Sequence, residues 1–165
     1  MFDWNGFSKR ILSLFVFYSK HSRIPINSDR WEEFIYLSLQ DLGEKYKGGP
    51  PRWDIGSHTP GADIWTDKFA VSAKSGSIKD SALVISANRL TRFSTLKDMI
   101  SYLGSSEGKN FDFYLCCART KTKNELIYRV FIVSADILTM AHLKWRETFL
   151  KKGTKDSSGW RGEGE

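Results

Sequence analysis

Cysteine is nearly absent from this 165-residue chain, and its only two, Cys116 and Cys117, are neighbours in an apolar run. Adjacent residues on a strand point to opposite faces and cannot easily bridge each other. There is no Cys-x-x-Cys and no zinc-ligand spacing, so a disulfide scaffold and a structural zinc module are both excluded. The expected compartment is reducing, hence cytoplasmic. Histidine is equally scarce, with three residues: His21 and His142 carry no partner signal, and His58, five residues before Asp63, is either close to that residue or a loop bystander. The chain has no glycine-rich phosphate loop, no nucleophile elbow and no HExxH, and no small-molecule cofactor is expected. Long apolar runs are missing too, so no segment is expected to span a membrane. Ile11 to Tyr18 follows Lys9-Arg10 in the order of a secretory leader. The run is short, lacks a small-residue cleavage site and is followed by Lys20, His21 and Arg23, so it reads as a buried helix.

Aromatic residues and positive charge are abundant. Six Trp and eleven Phe supply a well-packed core and leave some for exposed stacking. At this length one domain is expected, over residues 1–152, with a polar, glycine-rich tail at 153–165. The formal net charge is +6, and the surplus is local. From Arg119 to Lys155 there are nine Lys or Arg against Glu125, Asp136 and Glu147, which accounts for the whole excess. A localised basic surface suits a polyanion such as nucleic acid.

Patterning divides the chain into helices and strands. Phe7 to Tyr18 reads as a helix. Asp29-Arg30-Trp31-Glu32 resembles a capping box opening a helix to about Tyr46, with Trp31, Ile35, Leu39, Leu42 and Tyr46 on one face. Gly48-Gly49-Pro50-Pro51 stops it. Trp53 to Gly56 reads as a short strand. Gly61 to Trp65 and Phe69 to Lys74 form a hairpin around the polar Thr66-Asp67-Lys68 turn, and Ser75-Gly76 is expected to end it. A further strand at Ala82 to Ser86, a helix from Thr95 to Leu103 and strands at Phe111 to Ala118 and Glu125 to Ser134 follow. Ala135 to Leu150 reads as a closing helix.

The hairpin carries the chemistry. It brings Asp63 and Lys74 together although they lie eleven positions apart. A carboxylate holds a hard divalent cation through oxygen, and an ammonium beside it positions water and steadies developing charge. Metal-assisted phosphodiester hydrolysis needs that pair. The bland alternative is a solvated lysine on a strand edge.

Pro60-Gly61-Ala62-Asp63 followed by Ser72-Ala73-Lys74 resembles the signature of the PD-(D/E)xK nuclease superfamily, which includes most type II restriction endonucleases. Two residues separate Pro60 from Asp63, and Ser72 stands where the second acid is usual. Ser72 to Leu103 also looks like restriction-enzyme sequence. The resemblance implies an α/β (α+β) fold with a restriction endonuclease-like core, a central mixed sheet flanked by helices. The order helix, three short strands, helix, further strands agrees with it. A doubly wound sheet would need a helix between each strand pair. The implied activity is Mg2+-dependent, sequence-specific cleavage of double-stranded DNA, and palindromic cutting implies a homodimer. In the implied site Asp63 binds the metal, the Ala73 carbonyl joins it and Lys74 orients the attacking water. Enzymes of this superfamily also take an acid from the first core helix, which makes Glu32 the candidate for the missing acid. Glu32 is alternatively a capping-box partner, and Ser72 can hold a metal-bound water. A catalytically inactive DNA- or protein-binding module is the competing reading, supported by Ser72.

Candidate DNA contacts are Asn88, Arg89 and Arg92 in a basic, hydroxyl-rich segment, with Lys144 and Arg146 further on. Arginine pairs with phosphate and with the guanine edge. The alternatives are ion pairs of the arginines with Asp98 or Asp112, and a solvated helix face at Lys144 to Arg146.

Overall fold

A computed structural model describes residues 2–45, 49–54, 61–79, 82–85, 93–139, 143–149 and 158–164. Two long helices come first, α1 (Trp4–His21) and α2 (Ser28–Lys45). Asp3 caps α1 by accepting the Gly6 N–H at 2.8 Å. The expected capping box at Asp29 and Glu32 does not form. Asn27 occupies the N-cap, its Oδ1 accepting the Arg30 N–H at 3.0 Å, so the helix opens before Asp29 and Glu32 is released from capping. Trp31, Ile35, Leu39 and Leu42 are buried along one face, as their spacing predicts. Tyr46 lies outside the described residues.

The sheet has six strands: β1 (Arg52–Trp53), β2 (Ile64–Trp65), β3 (Ala70–Lys79), β4 (Ala82–Ile85), β5 (Phe113–Lys121) and β6 (Leu126–Ser134). Their order is β1-β2-β3-β5-β6, with β4 pairing the far end of β3. Only β3 and β5 run parallel, and that pairing needs a crossover, which passes through β4 and α3 (Leu96–Gly104). Thr95 caps α3 by accepting the Asp98 N–H at 3.1 Å. The architecture is a mixed α/β one, a mixed sheet flanked by helices.

Strand β3 does not stop at Ser75-Gly76. It runs on to Lys79, and Gly76 pairs with Ile85 of β4. Glycine serves close approach here: a Cβ at position 76 would lie 2.6 Å from the Val84 carbonyl oxygen.

Helices α1 and α2 cover one face of the sheet. Phe7, Ile11, Trp31 and Ile35 meet Ile64, Val71 and Leu115 in the main core. The Trp31 indole N–H donates to the Leu115 carbonyl at 2.8 Å and fixes α2 over β5. On the opposite face Tyr114 and Cys116 pack with Phe131, Val133 and Leu138. Both faces of β5 are covered, which is why Tyr114 to Ala118 reads as an unbroken apolar run. Cys116 and Cys117 are buried on opposite faces as free thiols, and burial pushes both pKa values up to about 12.

The closing helix expected over Ala135 to Leu150 is absent from the described residues. Ala135–Thr139 makes a short 3₁₀ turn, and Lys144–Phe149 is strand β7. The expected loose tail contains strand β8 (Ser158–Glu163), antiparallel to β7. The Trp145 and Trp160 side chains pack against Met99 and Leu103 of α3, and the Trp160 indole donates to the Phe93 carbonyl at 3.1 Å. A period-two strand with a tryptophan on its inner face outweighs the helical propensity of the segment.

Candidate active site

Antiparallel pairing of Ile64 with Val71 continues through the Asp63 backbone, whose N–H donates to the Val71 carbonyl at 2.9 Å. Asp63 therefore faces Ser72 across the strands, with Lys74 on the diagonal. Its Oδ2 accepts the Ala73 N–H at 2.6 Å and the Ser72 hydroxyl at 3.0 Å, and forms an ion pair with the Lys74 ammonium at 3.6 Å. Asp63 and Lys74 are 17% and 27% exposed, whereas Ser72 is 1% exposed. The carboxylate is thus pinned from the protein side, and both charged groups still reach solvent.

Backbone geometry upstream helps to aim Asp63. Gly61 sits at φ +142°, where an L side chain is strained, and a Cβ there would collide with the Asn110 amide. Asp54 donates its N–H to the Asp63 carbonyl at 3.2 Å, so the segment is held on both sides.

Glu32 sits in the second turn of α2. The Trp53 indole N–H donates to its Oε2 at 3.3 Å. Burial raises the Glu32 pKa above the ordinary glutamate value, and the Asp63 and Asp29 charges push the same way. The Trp53 hydrogen bond and Lys74 oppose that rise. Glu32, Asp63 and Lys74 thus share one electrostatic environment. Glu33 instead pairs with Arg30 on the helix surface. Trp53 is the one residue of this group that the sequence reading left without a role. An indole just upstream of the hairpin was its only signal.

Among the described residues no cluster of three or more His, Cys, Asp or Glu gathers to make a metal cage. Asp63 and Glu32, whose charges act on each other, both offer hard oxygen.

The remaining candidates fall elsewhere. Pro60, His58, Asn88, Arg89 and Arg92 lie outside the described residues, as do Lys151 and Lys152. The alternative ion pairs with Asp98 or Asp112 involve arginines outside the described residues, and each acid also accepts a hydrogen bond within its own segment or sheet. Asp98 accepts from the Thr95 hydroxyl at 2.7 Å, and Asp112 accepts the Ala70 N–H at 2.8 Å. Lys144 and Arg146 are exposed on strand β7, not on a helix face, and Arg146 pairs with Glu163 across the hairpin. Compared with family models, with curated proteins and with solved structures, the chain finds no match in any of the three. No helix among the described residues is long and apolar enough to cross a membrane.

Proposed function

We propose that this chain is a Mg2+-dependent, sequence-specific endonuclease for double-stranded DNA, restriction-like in type and core and acting as a homodimer. The observation that carries the reading is the Asp63–Lys74 pair at 3.6 Å across the hairpin, with Glu32 of α2 within reach of both charges. Magnesium is held through one or two carboxylates plus substrate phosphate, so a pair of acids fits it better than a cage would. Asp63 and Glu32, with the Ala73 carbonyl, would hold the ion. When bound, it supplies Lewis-acid stabilisation of charge on the phosphoryl group. Burial, with the Asp63 charge adding to it, raises the Glu32 pKa, and a bound cation would offset both effects.

The protein groups have distinct tasks. Ser72 and the Ala73 N–H lock the Asp63 rotamer. Lys74 orients the attacking water and donates to developing negative charge. Lys144 and Arg146, with Asn88, Arg89 and Arg92, contact the duplex. Supercoiled plasmid and phage DNA incubated with the protein and Mg2+ should give discrete fragments, and EDTA should abolish them. Uncut DNA over a range of substrates would end the proposal.

A second reading rests on Ser72. Its hydroxyl points to Asp63 at 3.0 Å and adds no charge where the usual motif has its second acid. A module that binds DNA or protein without cutting fits that substitution. Tight duplex binding in Ca2+ with no cleavage in Mg2+ or Mn2+ would select it.

A further inference from the structure

Strand β6 ends the path of the six-stranded sheet, and among the described residues no strand pairs with its outer edge. An uncovered edge of nine residues is an open template for another strand. Natural edges are blunted by proline, inward charge or brevity, and Leu126 to Ser134 has no proline and one charge, Arg129. The face of β6 turned towards α1 is apolar and incompletely covered. Leu126, Val130 and Ile132 are 37%, 39% and 42% exposed. Across from them Leu12 of α1 is 64% exposed, Val16 45% and Ile24 71%. A groove of about 490 Å³ runs between helix and strand. The bare apolar area is of the order of several hundred Å², the upper end of what a monomer leaves uncovered.

We propose that this groove and the β6 edge form a two-fold interface with a second copy of the same chain, β6 pairing antiparallel with β6. The choice of a second copy rests on the endonuclease reading, which needs two sites for two strands; the bare edge does not. Antiparallel pairing is isologous, so one strand can serve both sides. With the axis at Val130, Val130 meets itself, Tyr128 meets Ile132 and Arg129 meets Phe131. No like charges face each other along the seam. The exposed end of the β5–β6 hairpin, with Lys121 and Lys123, falls beside the partner's Asp136, which is opposite in sign, 66% exposed and paired within its own chain only with Lys109 at 3.7 Å among the described residues. The apolar patch plus a nine-residue strand edge approaches the ~800 Å² that each partner of a standard interface contributes.

The register adds a functional consequence. Lys74 is level with Cys116 on β5, and Cys116 is level with Phe131 on β6, one residue from the proposed axis. A two-fold axis perpendicular to the sheet leaves the same face of both copies on the same side. Both Lys74 residues then lie on one side of a continuous sheet. They are five strand spacings apart, roughly 24 Å before twist. Both sites thus open on the same side of the dimer, as cutting the two strands of one duplex requires.

Sedimentation or light scattering of the full chain tests the interface without DNA or metal. The expected result is a dimer at micromolar concentration. Val130→Arg should place two guanidinium groups on the axis and weaken the dimer roughly 100-fold or more. Val130→Glu should do the same, and mixing the two variants should restore the dimer. Val130 already has solvent access, so the monomer fold should persist in thermal melts. Should either variant unfold, Leu12→Glu on α1 replaces it with the same expected loss of dimer. A wild-type monomer at tens of micromolar, or a dimer indifferent to both positions, overturns the proposal. Cleavage by a monomer would sink the interface alone, and a Val130-dependent dimer that never cuts DNA would sink the nuclease reading alone.

Discussion

One oxygen of Asp63 accepts a backbone amide and a buried hydroxyl and pairs with the Lys74 ammonium, so its replacements separate structure from chemistry. Asp63→Ala leaves the Ser72 hydroxyl and the Ala73 N–H without that acceptor and should cost about 1–3 kcal/mol of stability. Asp63→Asn keeps an acceptor oxygen and removes the charge. In urea melts Asn should stay close to wild type while Ala falls, and both should lose cleavage. An active Asp63→Asn protein would remove the carboxylate from the mechanism. Lys74→Ala should leave duplex affinity within a few fold and slow cleavage by roughly 10²–10⁴, the usual worth of a positioned proton-transfer group. A collapse of binding at unchanged single-turnover rate would make Lys74 a phosphate contact instead. For Glu32 the folded pKa is raised, chiefly by burial and then by Asp63. The folded state therefore holds its proton to higher pH than the unfolded chain. Metal-free stability should fall as pH rises through the window just above the ordinary glutamate pKa. Glu32→Gln should flatten that part of the profile and stabilise the metal-free protein at neutral pH. Identical pH–stability curves for the two proteins would show that Glu32 carries no such strain.

Elements place those residues, and two contacts fix the elements. Trp31 bonds α2 to the middle of β5 through the Leu115 carbonyl. Trp31→Phe should cost about 1–3 kcal/mol, because a buried carbonyl loses its partner. Gly76 lets β4 close on β3. Gly76→Val should force the Val84 carbonyl away and cost about 1–3 kcal/mol by overpacking. A melt unchanged from wild type would mean that β4 shifts freely. Helix α2, the β2–β3 hairpin, α3, β5 and β6 were all legible, because each carries its own period, cap or turn. Asn27 shows how local signals compete: it and Asp29 are both good caps, and the chain uses the earlier one. The region after Ala135 was not legible as strand. Lys144 to Phe149 alternates over only six residues, and what holds it is Trp160, fifteen positions beyond Trp145, with both indoles against α3. Local propensity carries no information about a partner that distant.

At the scale of the molecule, the exposed positive charge and the open sheet edge are the features on which the proposed partners rest. Arg119, Lys121 and Lys123 lie on the exposed end of the β5–β6 hairpin, and Lys144 on the outer hairpin. If these face DNA, affinity must drop steeply with salt as neutralised phosphates release counterions. Lys144→Glu should weaken binding to all sequences alike and reduce the salt slope by about one. Arg146 is a poorer probe, because its pairing with Glu163 ties its removal to the hairpin. Salt-independent binding, or no binding to any duplex in Ca2+, would favour a protein partner.

The sequence by itself determined the hairpin and its two charged residues. A turn of Thr66-Asp67-Lys68 between two short apolar runs leaves little choice of register, so Asp63 and Lys74 had to meet. It also determined that Cys116 and Cys117 could not bridge, because strand alternation is a local rule. Only the tertiary structure decided that α2 swings Glu32 towards Asp63, that Trp53 holds it there and that Ser72 is buried against the same carboxylate. The Glu32 contacts join positions 21 to 31 residues apart through the docking of a helix on a sheet, and the burial of Ser72 comes from the layers packed on the hairpin. Burial and the field of neighbouring charges, which set what Glu32 and Asp63 can do, exist only once that docking has occurred.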